Sequence, residues 1–201
     1  MDYSIEELSE YKKYLNTIDK VLEKYFEDQK EYIFCQKGCS HCCETGQYPY
    51  TELEYKFLIL GFFSLPQEER QKIISRIQTL KREYNQTSDK KNFTYRCPFL
   101  NENGLCSVYE YRGMICRSFG LLTLLSNNQC AIPFCHKFGL NYSNVYDPIK
   151  KGIDFKKVEE LNYKNKPYAR KTNIKSLMSP DLFVGEPLNF GETKALIDWF
   201  Y

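Results

Sequence analysis

Four cysteines fall within nine residues, in the run CQKGCSHCC from Cys35 to Cys43. Loop thiolates two to four residues apart can turn toward one point, which is what tetrahedral zinc or a cluster iron requires. A second run, CPFLNENGLCSVYEYRGMICR, carries Cys97, Cys106 and Cys116, and Cys130 and Cys135 follow it. Adjacent Cys42 and Cys43 are poorly disposed to bond to each other, because disulfide geometry is narrow and neighbouring side chains diverge. Nine cysteines is an odd number and too sparse for a disulfide scaffold. Ordinary buried thiols account for single cysteines. Four in nine residues point to metal.

Asn103-Gly104 is a turn signal that can bring Cys97 near Cys106. Ser107 with Glu110 is spaced to cap one or two helical turns carrying Tyr109, Arg112 and Cys116, and a helix amino terminus beside Cys106 would favour its thiolate. Four thiolates leave zinc or an iron–sulfur cluster anionic. Lys37, Arg112 and Arg117 lie in the two runs and can donate charge-assisted hydrogen bonds to sulfur. His41 and His136 each adjoin a cysteine, which raises a mixed Cys/His site. A rim or surface position is the simpler reading for both. The expected metal set is Cys35, Cys39, Cys42, Cys43, Cys97, Cys106 and Cys116, with Cys130 and Cys135 able to complete a second site.

The elements that must position these residues read as helices. Residues 1–34 form one long amphipathic helix in expectation, with Ser4 and Glu7 as a capping box and apolar residues at Ile5, Leu8, Leu15, Ile18, Leu22 and Tyr25. Gly38, Gly46 and Pro49 mark an irregular loop over 35–50. Thr51 and Glu54 repeat the capping-box spacing and open a helix to about Ser64. Another starts near Pro66 with Ile73, Ile77, Leu80 and Tyr84 on one face. Residues 85–95 are a polar connection. A weak helix near 154–162, a Pro- and Lys-rich stretch to about 187 and a terminal amphipathic helix with Leu196, Trp199 and Phe200 complete the chain. No long alternating strand pattern occurs. The expected fold is mainly α, a helical domain whose irregular Cys-rich loops form a metal site. Its organisation reads as a single domain over 1–201, with a cysteine-cluster core at 35–136, an amino-terminal helix at 1–34 and a carboxy-terminal extension at 137–201.

Composition narrows the function classes. The chain has 201 residues, 42% hydrophobic and 27% charged, with a formal net charge of +2. That is an ordinary globular balance, not a globally basic nucleic-acid binder. The stretch 150–175 is locally basic and contains Phe155, Tyr163 and Tyr168; we read it as solvated surface rather than a nucleic-acid contact. The longest apolar run, Phe57 to Phe63, is about a third of a bilayer span. The acidic opening MDYSIEELSE is unlike a secretory signal. These features set the expectation of a cytoplasmic protein with no membrane partner, acting on an unknown protein or small molecule. Neither a phosphate-binding glycine loop, a His-Glu-x-x-His motif nor a nucleophile elbow is present.

The two runs resemble the YkgJ-type cysteine-cluster family of zinc- or iron-chelating domains. The resemblance rests on Cys35, Cys39, Cys42 and Cys43, then Cys97-Pro98-Phe99-Leu100, then Gly104-Leu105-Cys106, then Tyr109-Glu110-Tyr111-Arg112, and last Cys116-Arg117. It covers about residues 35–120. Gly113 stands where the family pattern has Pro, which is expected to loosen the turn before Cys116. The resemblance implies a metal or iron–sulfur site in a bacterial protein and carries over no catalytic residue. Three functions remain open on these grounds: an iron–sulfur or iron protein supporting a redox or modification reaction, a structural zinc module that binds a partner, and metal storage or delivery.

Overall fold

The computed structural model describes residues 3–36, 38–125, 127–179 and 187–201. Among them are seven α-helices and six short strands, joined by 3-10 turns. In chain order these are α1 (Ile5–Asp28), α2 (His41–Glu44), β1 (Pro49–Thr51), α3 (Glu52–Phe63), α4 (Gln67–Gln86), α5 (Met114–Ser118), β2 (Thr123–Leu124), β3 (Cys130–Ala131), β4 (Tyr146–Asp147), β5 (Gly152–Ile153), α6 (Phe155–Leu161), α7 (Ile174–Leu177) and β6 (Thr193–Ala195). The fold is mainly α, about half helical. The strands form three antiparallel pairs, β1 with β6, β2 with β3 and β4 with β5. None of the described helices is long and apolar enough to cross a membrane.

The chain forms two units that interleave in sequence. The first comprises Met1–Lys12, Gly38–Cys116 and Leu188–Tyr201; the second comprises Lys13–Lys37 and Arg117–Pro187.

In the first unit, Thr51 caps α3. Its hydroxyl accepts from the Glu54 amide at 3.2 Å, while the Glu54 carboxylate accepts from the Thr51 amide at 2.8 Å. This is the predicted capping box, and it satisfies two amides that the helix itself leaves open. Helix α4 buries Ile73, Leu80 and Tyr84, one face at helical spacing. The core gathers Tyr50, Leu58, Ile73, Phe99, Val108 and Leu196, and Cys97, Cys106 and Cys116 pack against it. Strand β6 pairs in the register Pro49↔Ala195, Tyr50↔Lys194 and Thr51↔Thr193. The terminal segment was expected to be an amphipathic helix. It is strand β6 followed by a 3-10 turn, Leu196–Phe200. Its pairing with β1 uses the backbone of 193–195, which leaves five residues for helical structure.

The second unit holds the rest of α1, whose start carries the predicted Ser4–Glu7 capping box in the first unit. Tyr14, Leu15, Ile18 and Leu22 are buried along one face of α1. The helix stops at Asp28 rather than running to residue 34, and a 3-10 turn, Lys30–Tyr32, follows. Gln29 explains the stop. It is buried, its side-chain amide donates to the Lys166 carbonyl, and its side-chain oxygen accepts from the Tyr168 amide at 3.2 Å. Tyr32, Leu122, Tyr142, Val145 and Val158 form the core of this unit. Asp154 caps α6, which matches the weak helix expected there. Of the Pro- and Lys-rich stretch, residues 180–186 lie outside the described residues.

Candidate metal centre

The first unit brings cysteines from both runs together. Cys42 and Cys43 lie on α2, a single turn, with their sulfurs 3.8 Å apart. The Cys97 amide donates to the Cys43 carbonyl at 2.7 Å, and Gly46 pairs with Tyr95 in a short bridge, so the two runs lie side by side there. The predicted turn at Asn103-Gly104 is present. Gly104 has φ +73°, a conformation glycine adopts without steric cost. Leu100 pairs with Cys106 across this turn.

Ser107 does not cap a helix. Its hydroxyl donates to Glu69 at 2.8 Å, and the following 3-10 turn, Tyr109–Tyr111, begins after Val108. The acceptor on α4 draws this hydroxyl away from the local backbone. Cys106 still accepts from the Val108 amide, which favours its thiolate.

Electrostatics make Cys43 the common neighbour. Cys43 raises the pKa of Cys97, Cys106 and Cys116. Burial contributes most to each of these three shifts. It pushes Cys106 up to about 11, against a partial offset from the Val108 amide and the nearby Arg112 charge. It pushes Cys116 up to about 12, against the Tyr50 hydroxyl, which favours the thiolate. The Cys43 thiol is held well above its ordinary value first by its hydrogen bond with Cys42, then by burial, and further by the charges of Cys42, Glu44 and Cys39. Without metal these thiols stay protonated near neutral pH.

Three tyrosines face the thiols. Tyr48 donates to the Cys42 carbonyl at 2.6 Å. The Tyr50 hydroxyl lies 3.3 Å from the Cys116 sulfur. Tyr48, Tyr50 and Tyr95 all have raised pKa values, first through burial and then through the neighbouring thiols, so they remain proton donors. Tyr109, which the sequence places between Cys106 and Arg112, is 57% exposed and stacks under Arg112 at 3.6 Å. The available signal was the aromatic pair Tyr48 and Tyr50 just before the Thr51 cap.

Gly113 does not loosen its turn. It is buried, its amide donates to Tyr50 Oη at 3.0 Å, and a Cβ there would sit 2.8 Å from Glu54 Oε1 and from the Tyr50 ring. Glu54 also accepts from the Met114 amide at 2.7 Å. The turn before Cys116 is therefore pinned from two sides.

The remaining candidates are placed as follows. Cys39 is half-buried in the first unit and bears on Cys43. His41 opens α2 and is exposed. Cys35, Cys130 and Cys135 belong to the second unit, where Cys130 is exposed and Cys135 buried. The Cys35 amide donates to Asn141 Oδ1 at 2.9 Å. His136 lies against the Tyr146 ring, 4.0 Å between centroids, with Nδ1 3.0 Å from the Pro133 carbonyl. Arg117 pairs with Asp19 in the second unit. Lys37 lies outside the described residues.

Among the described residues, no three His, Cys, Asp or Glu side chains stand close enough together to hold an ion as they are. The expectation that the loops form a metal site is met only in part: they gather the thiols without setting a finished geometry. The donor chemistry does fit zinc or iron, since soft sulfur ligands are those both ions accept.

No curated protein and no solved structure matches the chain. A family model described as "CxxCxxCC: Putative zinc- or iron-chelating domain" matches residues 34–136, which span every cysteine in the sequence. With the thiols of both runs collected beside Cys43 and more than half of the chain covered by that match, this protein belongs to the CxxCxxCC family of zinc- or iron-chelating domains.

Proposed function

We propose that the first unit holds a thiolate-bound zinc or iron centre through Cys43, Cys97, Cys106 and Cys116, with Cys42 and Cys39 beside it. The observation that carries this reading is geometric: the Cys97 amide bonds the Cys43 carbonyl, while Cys97, Cys106 and Cys116 pack against one core. Cys35, Cys130 and Cys135 lie in the second unit and are not among these four. An iron–sulfur cluster would supply electron transfer, and zinc a structural cross-link or a Lewis acid. The chain itself supplies burial, the Val108 amide and Tyr50 hydroxyl directed at sulfur, and the Arg112 charge near Cys106.

We favour a centre that supports a redox or modification reaction. Leu105 and Tyr109 flank Cys106 in sequence and are 51% and 57% exposed, which gives a substrate an apolar surface next to the thiols. The packing of Cys97, Cys106 and Cys116 on the hydrophobic core favours a second reading, a structural zinc module.

Metal and sulfide analysis with an ultraviolet–visible spectrum, on protein purified without oxygen, separates the two. Iron with sulfide and a broad thiolate-to-iron band supports the first reading. Colourless protein with stoichiometric zinc supports the second. Protein that neither retains nor takes up either metal defeats both.

A further inference from the structure

Resting on the reading of Cys116 as a metal ligand, we propose that Tyr50 is a positioning residue whose hydroxyl is oriented by Gly113 to donate its one proton to the Cys116 sulfur. The inference follows from the hydrogen-bond inventory of a phenol, which has one proton to give and oxygen lone pairs to receive. Tyr50 is 2% exposed, so water does not serve as a ready alternative partner. The Gly113 amide donates to Tyr50 Oη at 3.0 Å. The same oxygen lies 3.3 Å from the Cys116 sulfur, an O–H···S distance. Because the amide fills an acceptor position, the phenolic proton is left for sulfur. A deprotonated Cys116 can only accept.

The backbone around Tyr50 holds this arrangement in place. Its carbonyl accepts from the Trp199 indole N–H at 3.0 Å, and β6 pairs alongside it. Gly113 allows the close approach, since any Cβ would strike the Tyr50 ring and Glu54. A proline at 113 would both add that Cβ and remove the amide proton. A hydrogen bond of this kind withdraws charge from a metal-bound sulfur, stabilising the electron-rich state of the centre and holding the ligand in orientation.

The test compares wild type, Tyr50→Phe and Glu54→Gln, each loaded with its native metal if that is iron or with cobalt(II) in place of zinc. Tyr50→Phe keeps the ring and removes only the hydroxyl. It is expected to move the sulfur-to-metal charge-transfer band to lower energy and to weaken metal retention against a chelator by about 10- to 100-fold. Glu54→Gln perturbs the same turn but removes a carboxylate charge that bears on Cys116, so any shift it causes is expected toward higher energy, opposite to that of Tyr50→Phe. If the band is unmoved in Tyr50→Phe, or moves equally to lower energy in Glu54→Gln, the Tyr50 role is overturned while the metal reading stands. If wild type binds no metal, both fall.

Discussion

The amide of Cys97 donates to the carbonyl of Cys43 across 2.7 Å, so a backbone hydrogen bond joins the two cysteine runs whatever the state of their thiols. The backbones of Cys97 and Cys43 are thereby held together by a contact that needs no metal. A side-chain substitution at a cysteine should therefore subtract a ligand without dispersing the others.

Substituting Cys106 or Cys43 by serine tests the joint use of both runs. Each variant removes one of the four assigned ligands, Cys43 from the first run and Cys106 from the second. Each variant should fold, hold less metal than wild type and melt lower in the metal-loaded form. Elemental analysis and thermal unfolding check this, and full occupancy in both variants would refute a centre shared by the two runs.

The thiol shifts give metal-free and metal-loaded protein opposite responses to pH. Cys106 is raised to about 11 and Cys116 to about 12 from an ordinary value of 9.0, mainly by burial. A group whose folded pKa is raised contributes stability that is present below the unfolded pKa and lost as pH climbs through the folded one. The metal-free chain should therefore lose stability from about pH 9 to about pH 12. Metal must displace these protons, so affinity for metal should rise over the same interval. Urea unfolding and chelator competition across that range give the two curves, and parallel trends would contradict the assignment.

Glu54 is 1% exposed and serves two segments at once. It accepts from the Thr51 amide at the start of α3 and from the Met114 amide two residues before Cys116. Glu54→Ala leaves both amides without this acceptor and should cost about 2–4 kcal/mol in the metal-free protein. Denaturant unfolding measures it, and a loss below about 0.5 kcal/mol would show that the amides find other partners.

Asn141 plays the corresponding part in the second unit. It is fully buried, accepts from the amides of Phe34 and Cys35, and donates to the Gly120 carbonyl at 2.9 Å. Asn141→Ala should destabilise the chain by about 3 kcal/mol. Metal bound per folded molecule should stay at the wild-type level, because the assigned ligands lie in the first unit. Reduced metal in the folded fraction would bring the second unit into the centre.

Much of this was legible where a local pattern carries the information. The Thr51–Glu54 and Ser4–Glu7 boxes need only a three-residue spacing, and α4 shows its buried face as Ile73, Leu80 and Tyr84. The thiol gathering was also legible, since the two runs and the turn at Gly104 announce it. The partners of Tyr50 were not. Cys116 is 66 positions away, Gly113 63, and no periodicity links such pairs. Strand β6 escaped for a related reason: three residues are too few for alternation to register, and their pairing partner is β1. The Ser107 cap failed because an acceptor on another helix, Glu69, outcompeted the local backbone.

The pairing of β1 with β6 also carries a timetable. Ribosomes add about 5–20 residues each second, so Tyr50 emerges on the order of ten seconds before Lys194, its strand partner. Cys39, Cys42 and Cys43 are made before Tyr50, and Cys97, Cys106 and Cys116 within that interval, while Trp199, which holds the Tyr50 carbonyl, does not yet exist. The nascent thiols thus wait for the segment Leu188–Tyr201 to close their unit. During that wait they are open to oxidants and to any metal at hand.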